Sequence, residues 1–383
     1  MKRKILAITG SRSDYSIMVP VYKAIKESNI LALDLVITGM HFLPAFSLGV
    51  NEIARQKFAT LHPLDPHPHL SMTAMSAYLL KELDYLFENL HPDIVLIQGD
   101  RYEMLPLAMT AAYRNIPIVH MSGGDYSGSI DDSLRNAITS FAHIHLTSCS
   151  LSTQRLLKNG EQANRVIEVG EPGLDNINNL TQLPKNELFS RYHLNDQKPL
   201  ILVTQHPVTT ESENSYQNML ETLKALDKIN LPTILTYPNT DLGYKGILKA
   251  INEYQDRPWL RILPTLGITE FLNLLSHCSV LVGNTSSGII EAPTFKVPFV
   301  NIGTRQINRL RATNVLDVSY HAQEITSAIR KSLFDEEFRQ SLVECINPYG
   351  DGHTSLKVVN ILEKLQITPN LLSKWVPSTE SFI

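Results

Sequence analysis

The sequence lacks most marks of secreted, membrane-spanning and nucleic-acid-binding proteins. Its 383 residues include three cysteines, Cys149, Cys278 and Cys345, and their wide spacing matches no disulfide or metal pattern, which favours a reducing compartment. No run approaches the ~18 apolar residues of a membrane helix. A net charge of -4 gives no basic field for nucleic acid or anionic lipid. We therefore expect a cytoplasmic protein that binds neither nucleic acid nor a membrane.

Signals for a signal peptide, a dinucleotide cofactor and a metal are missing as well. The basic start is followed by an apolar run of only a strand's length, which is unlike a signal peptide. Neither Gly10-Ser11-Arg12 nor Gly123-Gly124 begins the Gly-x-Gly-x-x-Gly turn of NAD-binding folds. His67 and His69 are too isolated to predict metal ligands. We expect no NAD, no metal and no other cofactor.

Length and composition predict a globular protein with more than one core. The chain is 43% hydrophobic and 19% charged, which is ordinary globular usage, and its length exceeds what one core usually supports. A segment rich in Asn and Leu at 176–184 is typical of a boundary. We predict an N-terminal domain over 1–182, a C-terminal domain over 183–366 and a tail over 367–383.

Patterns of strand, loop and helix alternate through both halves. Apolar runs predict strands at 4–9, 31–38, 94–97, 116–121 and 144–147, and again at 200–204, 233–236, 260–263, 279–282 and 297–302. Helical periodicity follows several of them, at 15–26, 70–90, 103–113, 131–141 and 211–228. This alternation predicts an α/β fold of two Rossmann-like, doubly wound domains facing each other across a cleft, with ligands at the carboxyl ends of the strands.

The turn after the strand at 279–282 predicts an anion site. Backbone N–H groups and hydroxyls gather there at the expected start of a helix, a geometry that binds phosphate, in Thr285, Ser286, Ser287 and Gly288. Arg305, past the next strand, can add a bidentate contact to a phosphate. An ordinary capped helix is the alternative explanation of the same residues.

Polar residues also follow the other predicted strands, and each has a structural alternative. Gly99-Asp100-Arg101 suits a catalytic loop or a turn with a surface ion pair. Asp131 and Asp132 suit acid–base chemistry or the first turn of a helix. Carboxylates thus gather in the first half and phosphate-binding groups in the second, which indicates an enzyme that holds a nucleotide diphosphate and moves protons on the attached group.

The histidines divide by their position relative to the strands. His206 precedes a proline at a strand end, which favours function, because a core histidine is expected within the apolar run. Three others lie within or beside strands and are interpreted as structural: His120, His143 and His145.

Eight short motifs occur in order along 10–352. They are Gly10-Ser11-Arg12-Ser13-Asp14-Tyr15, Gly39-Met40-His41, Gly99-Asp100-Arg101-Tyr102-Glu103, Gly123-Gly124-Asp125, Ile130-Asp131-Asp132-Ser133, Gly283 to Glu291, Gly303-Thr304-Arg305-Gln306 and Asn347-Pro348-Tyr349-Gly350-Asp351-Gly352. Together they resemble the hydrolysing UDP-N-acetylglucosamine 2-epimerases, the branch that supplies N-acetylmannosamine-type sugars for sialic-acid-like pathways. The resemblance implies the fold of two-domain nucleotide-sugar glycosyltransferases, a UDP-sugar substrate, no metal or NAD, and a homodimer.

The resemblance also implies a mechanism. A base removes the proton at sugar C2 while UDP departs from C1, which leaves a glycal. Water then adds across the double bond and C2 is protonated from the opposite face, so that a free sugar with inverted C2 and UDP are released. The C2 proton is not acidic, so the departing diphosphate must be strongly stabilised.

The family's site residues map onto this chain one by one. The acid–base candidates are Asp100, Asp125, Asp131 and Asp132. The groups expected to stabilise the departing diphosphate are Arg12, Arg101, His206 and the Ser286-Ser287 turn. The expected UDP-binding set is Arg12, Ser13, Asn239, Leu266, Thr285, Ser286, Ser287, Gly288, Glu291 and Arg305, with Glu291 at the ribose and Arg305 at the diphosphate. His41 is the expected sugar-binding residue.

Two departures from the family pattern concern the sugar. The usual Gly-Gly-Glu is Gly-Gly-Asp here, so the carboxylate of Asp125 is one methylene shorter, and Arg135-Asn136 replaces an Arg-His pair. We therefore expect UDP-N-acetylglucosamine as the first substrate and UDP-N,N'-diacetylbacillosamine, a precursor of legionaminic-acid-type sugars, as the alternative. A glycosyltransferase, a non-catalytic UDP-sugar sensor and a non-hydrolysing epimerase are the other hypotheses.

Overall fold

The computed structural model of the protein describes residues 2–42, 50–65, 71–126, 131–239, 241–264, 266–375 and 380–383. These residues form two compact units: the first comprises Met1–Asn178 and Tyr349–Ile383, the second Asn179–Pro348. Several sequence-based predictions concern positions outside the described residues, namely His67, His69, Ile130 and the first residue of the helix expected at 70–90.

The first unit contains one parallel sheet with helices on both faces. Its described strands are β1 (Arg3–Thr9), β2 (Leu31–Ile37), β3 (Thr60–Pro63), β4 (Ile94–Gln98), β5 (Ile118–Met121), β6 (Ile144–Thr147) and β7 (Val166–Glu168). Their order in the sheet is β3-β2-β1-β4-β5-β6-β7. Its described helices are α1 (Arg12–Glu27), α2 (Val50–Gln56), α3 (Met72–Leu90), α4 (Met104–Tyr113), α5 (Asp131–Phe141), α6 (Ser150–Lys158), α7 (Asp175–Asn178), α15 (Thr354–Lys364) and α16 (Pro369–Leu372).

The second unit repeats this architecture. Its described strands are β8 (Ile201–Thr204), β9 (Thr233–Thr236), β10 (Leu260–Leu263), β11 (Val280–Gly283), β12 (Phe299–Ile302) and β13 (Val315–Val318). They are parallel and lie in the order β10-β9-β8-β11-β12-β13. Its described helices are α8 (Lys185–Arg191), α9 (Ser215–Ile229), α10 (Tyr244–Asn252), α11 (Ile268–His277), α12 (Ser287–Ile290), α13 (Ala322–Phe334) and α14 (Glu336–Ser341).

The central strands are apolar throughout because helices cover both faces of each sheet. In β1, Ile5 and Ala7 belong to one buried cluster, whereas Leu6 and Ile8 belong to another on the opposite face. The predicted α/β fold of two Rossmann-like units is thereby confirmed. The predicted elements agree with the observed ones to within a few residues, and those at 131–141, 144–147, 233–236 and 260–263 agree fully.

Strand order determines where the polar loops lie within each unit. The order reverses between β1 and β4 in the first sheet and between β8 and β11 in the second. At such a switch point the loops that follow the two neighbouring strands run to opposite faces of the sheet. Ligands of doubly wound sheets bind there, beside the carboxyl ends of the strands. The loops at Gly10, Gly99, Gln205 and Asn284 follow these four strands directly.

Some elements do not follow the sequence-based predictions. β3 was not predicted, because it is a short edge strand with little apolar character. β13 and α13 were not predicted either. The helix expected after Ser287 is only the four-residue α12, since Pro293 follows and disfavours helical backbone at the preceding residue. Among the described residues no helix has the length and apolar character needed to cross a membrane.

The C-terminal segment returns to the first unit. Val358 and Leu362 of α15 belong to the same buried cluster as Ile5 and Val21, and Thr354 N and Ser355 N donate to the carboxylate of Asp175 at 2.9 and 2.7 Å. Asp175 therefore caps α15 from a distant part of the chain. The structure places 349–366 with the first unit, whereas the sequence-based boundaries assigned them to the C-terminal domain.

We predict that Asp175→Ala lowers the free energy of unfolding of the first unit by about 1–2 kcal/mol, because two amides of α15 lose a charged acceptor. Thermal and urea unfolding of the purified protein measure this change. The matched control is Asp351→Ala, which removes an exposed carboxylate at the start of the same segment and is expected to have little effect. Equal stability of the two variants would contradict the capping role.

Candidate active site

In the first unit, the guanidinium of Arg135 joins three site segments. Arg135 lies on α5 and is 6% exposed. One of its nitrogens pairs with Asp100, after β4. The other donates to Asp132 Oδ1 at 2.9 Å and to the backbone oxygen of Asp125 at 2.7 Å. The structure thus brings together the four predicted acid–base positions, with Asp131 and Asp132 in the first turn of α5.

The environment of Asp100 raises the pKa of its carboxyl group towards neutral pH. Burial raises the pKa of Asp100 to about 6, Arg135 opposes this shift, and the neighbouring carboxylates Asp131, Asp125 and Asp132 add to it. A carboxyl group with such a pKa exchanges protons readily near neutral pH. The cluster is therefore chemically suited to acid–base catalysis.

The carboxylate of Asp125 is held by the hydroxyl groups of two serines. Its Oδ1 accepts from Ser148 Oγ at 2.7 Å and from Ser152 Oγ. Both serines lie at or near the start of α6, which follows β6. These two donors fix the orientation of the Asp125 side chain.

Arg101 is largely committed to a neighbour. Its guanidinium donates to both oxygens of Glu103, at 3.1 and 2.8 Å, and Glu103 is fully buried. The carboxylate of Glu103 occupies the space beside Gly10, where a Cβ would lie 2.3 Å from Oε1. A side chain at the position after β1 would therefore displace the Glu103 carboxylate. Arg101 retains other N–H donors for a ligand, but its orientation is set by Glu103.

The loop after β1 is organised around Asp14. The Asp14 carboxylate accepts from Gly10 N at 3.0 Å and from Ser11 N at 2.8 Å, and Ser11 caps α1 in return. This reciprocal arrangement is a capping box. It leaves the side chains of Arg12 and Ser13 exposed at the beginning of α1.

His41 is buried after β2, in a short 3-10 turn. Its Nε2 lies 2.9 Å from Thr9 Oγ1, and the Tyr15 ring meets it edge-on. Thr9 Oγ1 also donates to Asp14 at 3.2 Å. The described contacts of His41 thus connect it to the loop after β1.

In the second unit, the side chain of Asn284 clamps the backbone of His206. Asn284 Oδ1 accepts from His206 N at 2.7 Å, and Asn284 Nδ2 donates to His206 O at 2.9 Å. These paired bonds join the loops after β8 and β11, the two strands at the switch point. The position of the His206 ring is therefore set by β11 as well as by its own strand.

The ring of His206 is a neutral hydrogen-bond donor. Its Nδ1 accepts from Asn239 N at 3.0 Å, so the proton of the neutral imidazole lies on Nε2. Burial and, to a smaller extent, Arg305 lower the pKa of His206 to about 3. At neutral pH the ring can therefore donate from Nε2 to an anionic ligand without carrying a charge.

The turn at 285–288 differs from the expected helix start. Thr285 Oγ1 accepts from Ser287 N at 3.3 Å, and α12 is a single turn. A helix this short contributes little macrodipole. Anion binding at this turn must therefore come from the individual hydroxyl and N–H groups.

Arg305 and Glu291 lie near this turn. Arg305 donates to the backbone oxygen of Asn284 at 3.3 Å, and burial, with Arg309, lowers its pKa. Burial raises the pKa of Glu291, and hydrogen bonding to Ser287 opposes the shift. A charged guanidinium and a carboxyl group are thus held in partly buried positions on one side of the second sheet.

Of the predicted UDP-binding residues, Asn239 has contacts that its side-chain chemistry did not suggest. Asn239 meets His206 through its backbone, while its side-chain amide donates to Asp241 at 2.6 Å. Leu266 is half-buried in the loop between β10 and α11.

Sequence reasoning did not predict several contacts that organise the site. Ser11-x-x-Asp14 is a capping-box pattern that can be recognised in the sequence. Arg135 and Asn284 were noted in the sequence, but their contacts with Asp100 and His206 were not predicted, because these partners are distant in the chain. Glu103 was part of a recognised motif, but only the structure shows its burial against Gly10.

The chain was compared with known protein families, curated proteins and solved structures. The family model described as UDP-N-acetylglucosamine 2-epimerase matches residues 23–363. The chain is 36% identical to the UDP-N,N'-diacetylbacillosamine 2-epimerase (hydrolyzing) of Legionella pneumophila, over 98% of this chain and 99% of that protein. It is 32% identical to the UDP-N-acetylglucosamine 2-epimerase of Neisseria meningitidis, over 86% of this chain and 87% of that protein.

The fold is similar to that of a solved structure as well. The crystal structure of UDP-GlcNAc 2-epimerase from Neisseria meningitidis bound to UDP-GlcNAc superposes with a TM-score of 0.80 at 20% identity, covering 94% of this chain and all of that chain (100%). At this identity the similarity concerns the fold.

We predict that Arg135→Met raises the pKa of Asp100 above about 6, because the nearest positive charge is lost while burial and the neighbouring carboxylates remain. Titration of the carboxyl carbons by NMR, with labelled aspartate, measures the shift. Arg114→Met is the matched control, since Arg114 pairs with Asp84 on the surface of the same unit. A pKa of Asp100 that stays the same or falls in Arg135→Met would show that Arg135 does not set it.

Proposed function

The chain belongs to the UDP-N-acetylglucosamine 2-epimerase family, whose members act on UDP-sugars, and from this premise we propose that it is a hydrolysing 2-epimerase. It releases UDP and a free 2-acetamido sugar with inverted configuration at C2. The observation that carries this proposal is the cluster of Asp100, Asp125, Asp131 and Asp132 around Arg135, where Asp100 has a pKa of about 6.

Elimination across C1 and C2 requires a base at C2 and a stabilised leaving group. The carboxylates of the first unit supply proton-transfer groups, since Asp100 is partly ionised at neutral pH and its neighbours are held in fixed positions. As base, Asp100 removes the C2 proton while UDP leaves C1, which forms the glycal. Water then adds its oxygen to C1, and a second carboxylate returns a proton to the opposite face of C2. Asp125, Asp131 and Asp132 are the candidates for the second role.

The second unit binds the UDP moiety. The Nε2–H of His206, the hydroxyls of Thr285, Ser286 and Ser287, and Arg305 offer donors to the diphosphate, and Glu291 offers a carboxyl to the ribose hydroxyls. A neutral donor at His206 stabilises developing negative charge on the leaving phosphate. Leu266, Gly288 and the backbone of Asn239 complete the proposed UDP contacts.

The remaining candidate residues are assigned by their exposure and partners. Arg12 and Ser13 are exposed at the start of α1 and are proposed to contact the diphosphate. Arg101 uses N–H groups not taken by Glu103 for the same purpose. His41 is proposed to act at the sugar, either directly or by orienting Thr9 and the loop after β1.

Two UDP-sugars compete as the physiological substrate. UDP-N,N'-diacetylbacillosamine is supported by the 36% identity to the Legionella pneumophila protein named for that sugar. The shorter Asp125, held back by Ser148 and Ser152, leaves more room than a glutamate at this position. UDP-N-acetylglucosamine is supported by the 32% identity to the Neisseria meningitidis protein. We favour the diacetylated sugar and retain UDP-N-acetylglucosamine as the second candidate.

We also propose a homodimer in a reducing, cytoplasmic environment. Three cysteines are free and buried, namely Cys149, Cys278 and Cys345, which suits a compartment that keeps thiols reduced. Sedimentation equilibrium of the purified protein distinguishes a monomer from a dimer.

We expect incubation with each UDP-sugar in deuterated water to release UDP and a free 2-epimerised sugar that carries deuterium at C2. Proton NMR identifies both the sugar and the label, and a higher kcat/KM with UDP-N,N'-diacetylbacillosamine than with UDP-N-acetylglucosamine supports the favoured substrate. The label arises because the proton returned to C2 comes from a carboxylate in exchange with solvent.

Other outcomes of this experiment point to the rival functions. A free sugar without deuterium would exclude elimination, and recovery of an epimerised UDP-sugar would indicate a non-hydrolysing epimerase. Turnover only in the presence of an acceptor would indicate a glycosyltransferase. Binding of UDP-sugar without release of UDP would indicate a sensor.

We predict that two single substitutions separate chemistry from UDP binding. Asp100→Asn lowers kcat by about 10²- to 10⁴-fold, the range for loss of a general base, and leaves the Kd for UDP unchanged. Ser286→Ala raises the Kd for UDP about three- to tenfold, as expected for one lost hydrogen bond. Calorimetric titration with UDP and initial-rate kinetics measure the two effects.

The pH dependence provides a control for the assignment of Asp100. If Asp100 acts as base, its ionised form is required, so kcat rises as the pH rises through about 6 and levels off above it. This rise disappears from the residual activity of Asp100→Asn. A rising limb that persists in this variant would move the role of base to another carboxylate.

A further inference from the structure

The side chain of Lys374 is buried in the first unit although it comes from the C-terminal segment. Lys374 is 6% exposed. Its ammonium group donates to Thr139 O at 2.6 Å, to Ser140 O at 3.2 Å and to Glu161 Oε1 at 2.8 Å. A lysine has three N–H donors, and all three have partners here.

The negative partner of Lys374 belongs to a small buried network. Glu161 is 9% exposed, and its second oxygen lies 2.9 Å from His145 Nε2 on β6. Lys374 and His145 both lower the pKa of Glu161 against the effect of its burial. The buried ammonium is thus matched by a carboxylate, which buried charges require.

The two α5 carbonyls bound by Lys374 lie at the opposite end of the helix from the proposed catalytic residues. Thr139 and Ser140 are in the last turn of α5, whereas Asp131 and Asp132 are in its first turn. The last carbonyls of a helix have no partner within it, and a positive charge there is favourable. Lys374 is therefore a C-terminal cap of α5 that comes from outside the helix.

The same end of α5 is connected to the loop that carries Asp100. His120 Nε2 donates to Gly99 O at 2.8 Å, because a carbonyl can only accept. Its Nδ1 then accepts from Thr139 Oγ1 at 3.3 Å. A side chain at Gly123 would come within 3.1 Å of this His120 nitrogen. The His120 ring thus links α5 to the loops at Gly99 and Gly123, which lead to Asp100 and Asp125.

We propose that Lys374 is a positioning residue for the carboxylate cluster: by capping α5 at Thr139 and Ser140, it holds the helix in the position where Arg135 meets Asp100. This inference rests on the proposed function, since it assigns Lys374 to the same reaction. His120 carries the effect onward to the Asp100 loop through Thr139. None of these residues touches the substrate in this proposal.

The rest of the C-terminal segment is attached independently of Lys374. Arg165 is fully buried and donates to the backbone oxygens of Leu371 and Asn370 at 2.9 Å each. Its guanidinium lies over the ring of Phe382 at 4.7 Å. Substitution at Lys374 is therefore expected to release α5 while the segment stays attached.

The test uses the full-length protein with Lys374→Met, which keeps an unbranched apolar stem and removes the donors. We expect faster backbone hydrogen exchange in α5, measured by mass spectrometry of peptides that cover 131–141. We also expect kcat to fall about 10- to 100-fold, the effect of a small misplacement of catalytic groups, with the Kd for UDP unchanged. Lys374→Arg, which restores charge and donors, is expected to recover kcat to within about threefold.

Two further variants separate positioning from general stability. Val358→Ala leaves a cavity under α15 in the same returning segment, away from α5, and is expected to lower the melting temperature while kcat and α5 exchange stay at the wild-type level. Thr139→Val removes the hydroxyl that meets His120 and leaves Lys374 in place. It is expected to lower kcat without changing the Kd for UDP, and it serves as the test if Lys374→Met does not fold.

Hydrogen exchange of α5 at the wild-type rate in Lys374→Met would overturn the proposal, and so would a wild-type kcat in Thr139→Val. It would also be overturned if Lys374→Arg were as impaired as Lys374→Met, or if kcat fell equally in Val358→Ala. Failure of the proposed function is seen separately, as a wild-type protein that releases no UDP from either UDP-sugar. In that case the exchange measurement still decides whether Lys374 holds α5.

Discussion

The pairing of Arg135 with Asp100 and Asp132 is the interaction on which the first site depends. Burial raises the pKa of Asp100 most, and repulsion from the neighbouring carboxylates adds to this shift. One guanidinium, itself nearly inaccessible, offsets this repulsion and also binds the backbone of the Asp125 loop. The neighbouring carboxylates thus contribute to the raised pKa of Asp100, while the positive charge of Arg135 stabilises the cluster. A carboxyl group near its midpoint of titration is the property that proton transfer at carbon needs.

The sheets explain why residues far apart in sequence meet around these charges. In both units the strand order reverses next to the first strand of the sheet. Loops that are many residues apart in the sequence therefore begin side by side, at the carboxyl ends of neighbouring strands. In the first unit these loops carry carboxylates and arginines, and in the second they carry hydroxyls, His206 and Arg305. The repeated architecture thus supports two different chemistries, because fold alone does not decide which side chains occupy the loops.

The sequence was sufficient to predict the α/β class, most strands, the helix at 131–141 and the gathering of aspartates after the strands, because apolar periodicity and the parallel-sheet rule are local signals. It was insufficient where a tertiary contact decides the outcome. The commitment of Arg101 to Glu103, the clamp of Asn284 on His206 and the burial of Lys374 each depend on partners brought together by folding. The helix expected after Ser286 is a single turn, because Pro293 disfavours helical backbone just beyond it.

The division of the first unit between the two ends of the chain has a consequence for biosynthesis. The second unit is continuous and ends at Pro348, whereas the first needs α15 and Phe382, which are translated after the whole of the second unit. Until then the buried face of α1, including Val21, is exposed on a nascent chain, which is the kind of surface that chaperones recognise. The part of the first unit that is synthesised first therefore cannot complete its core until the second unit has been synthesised.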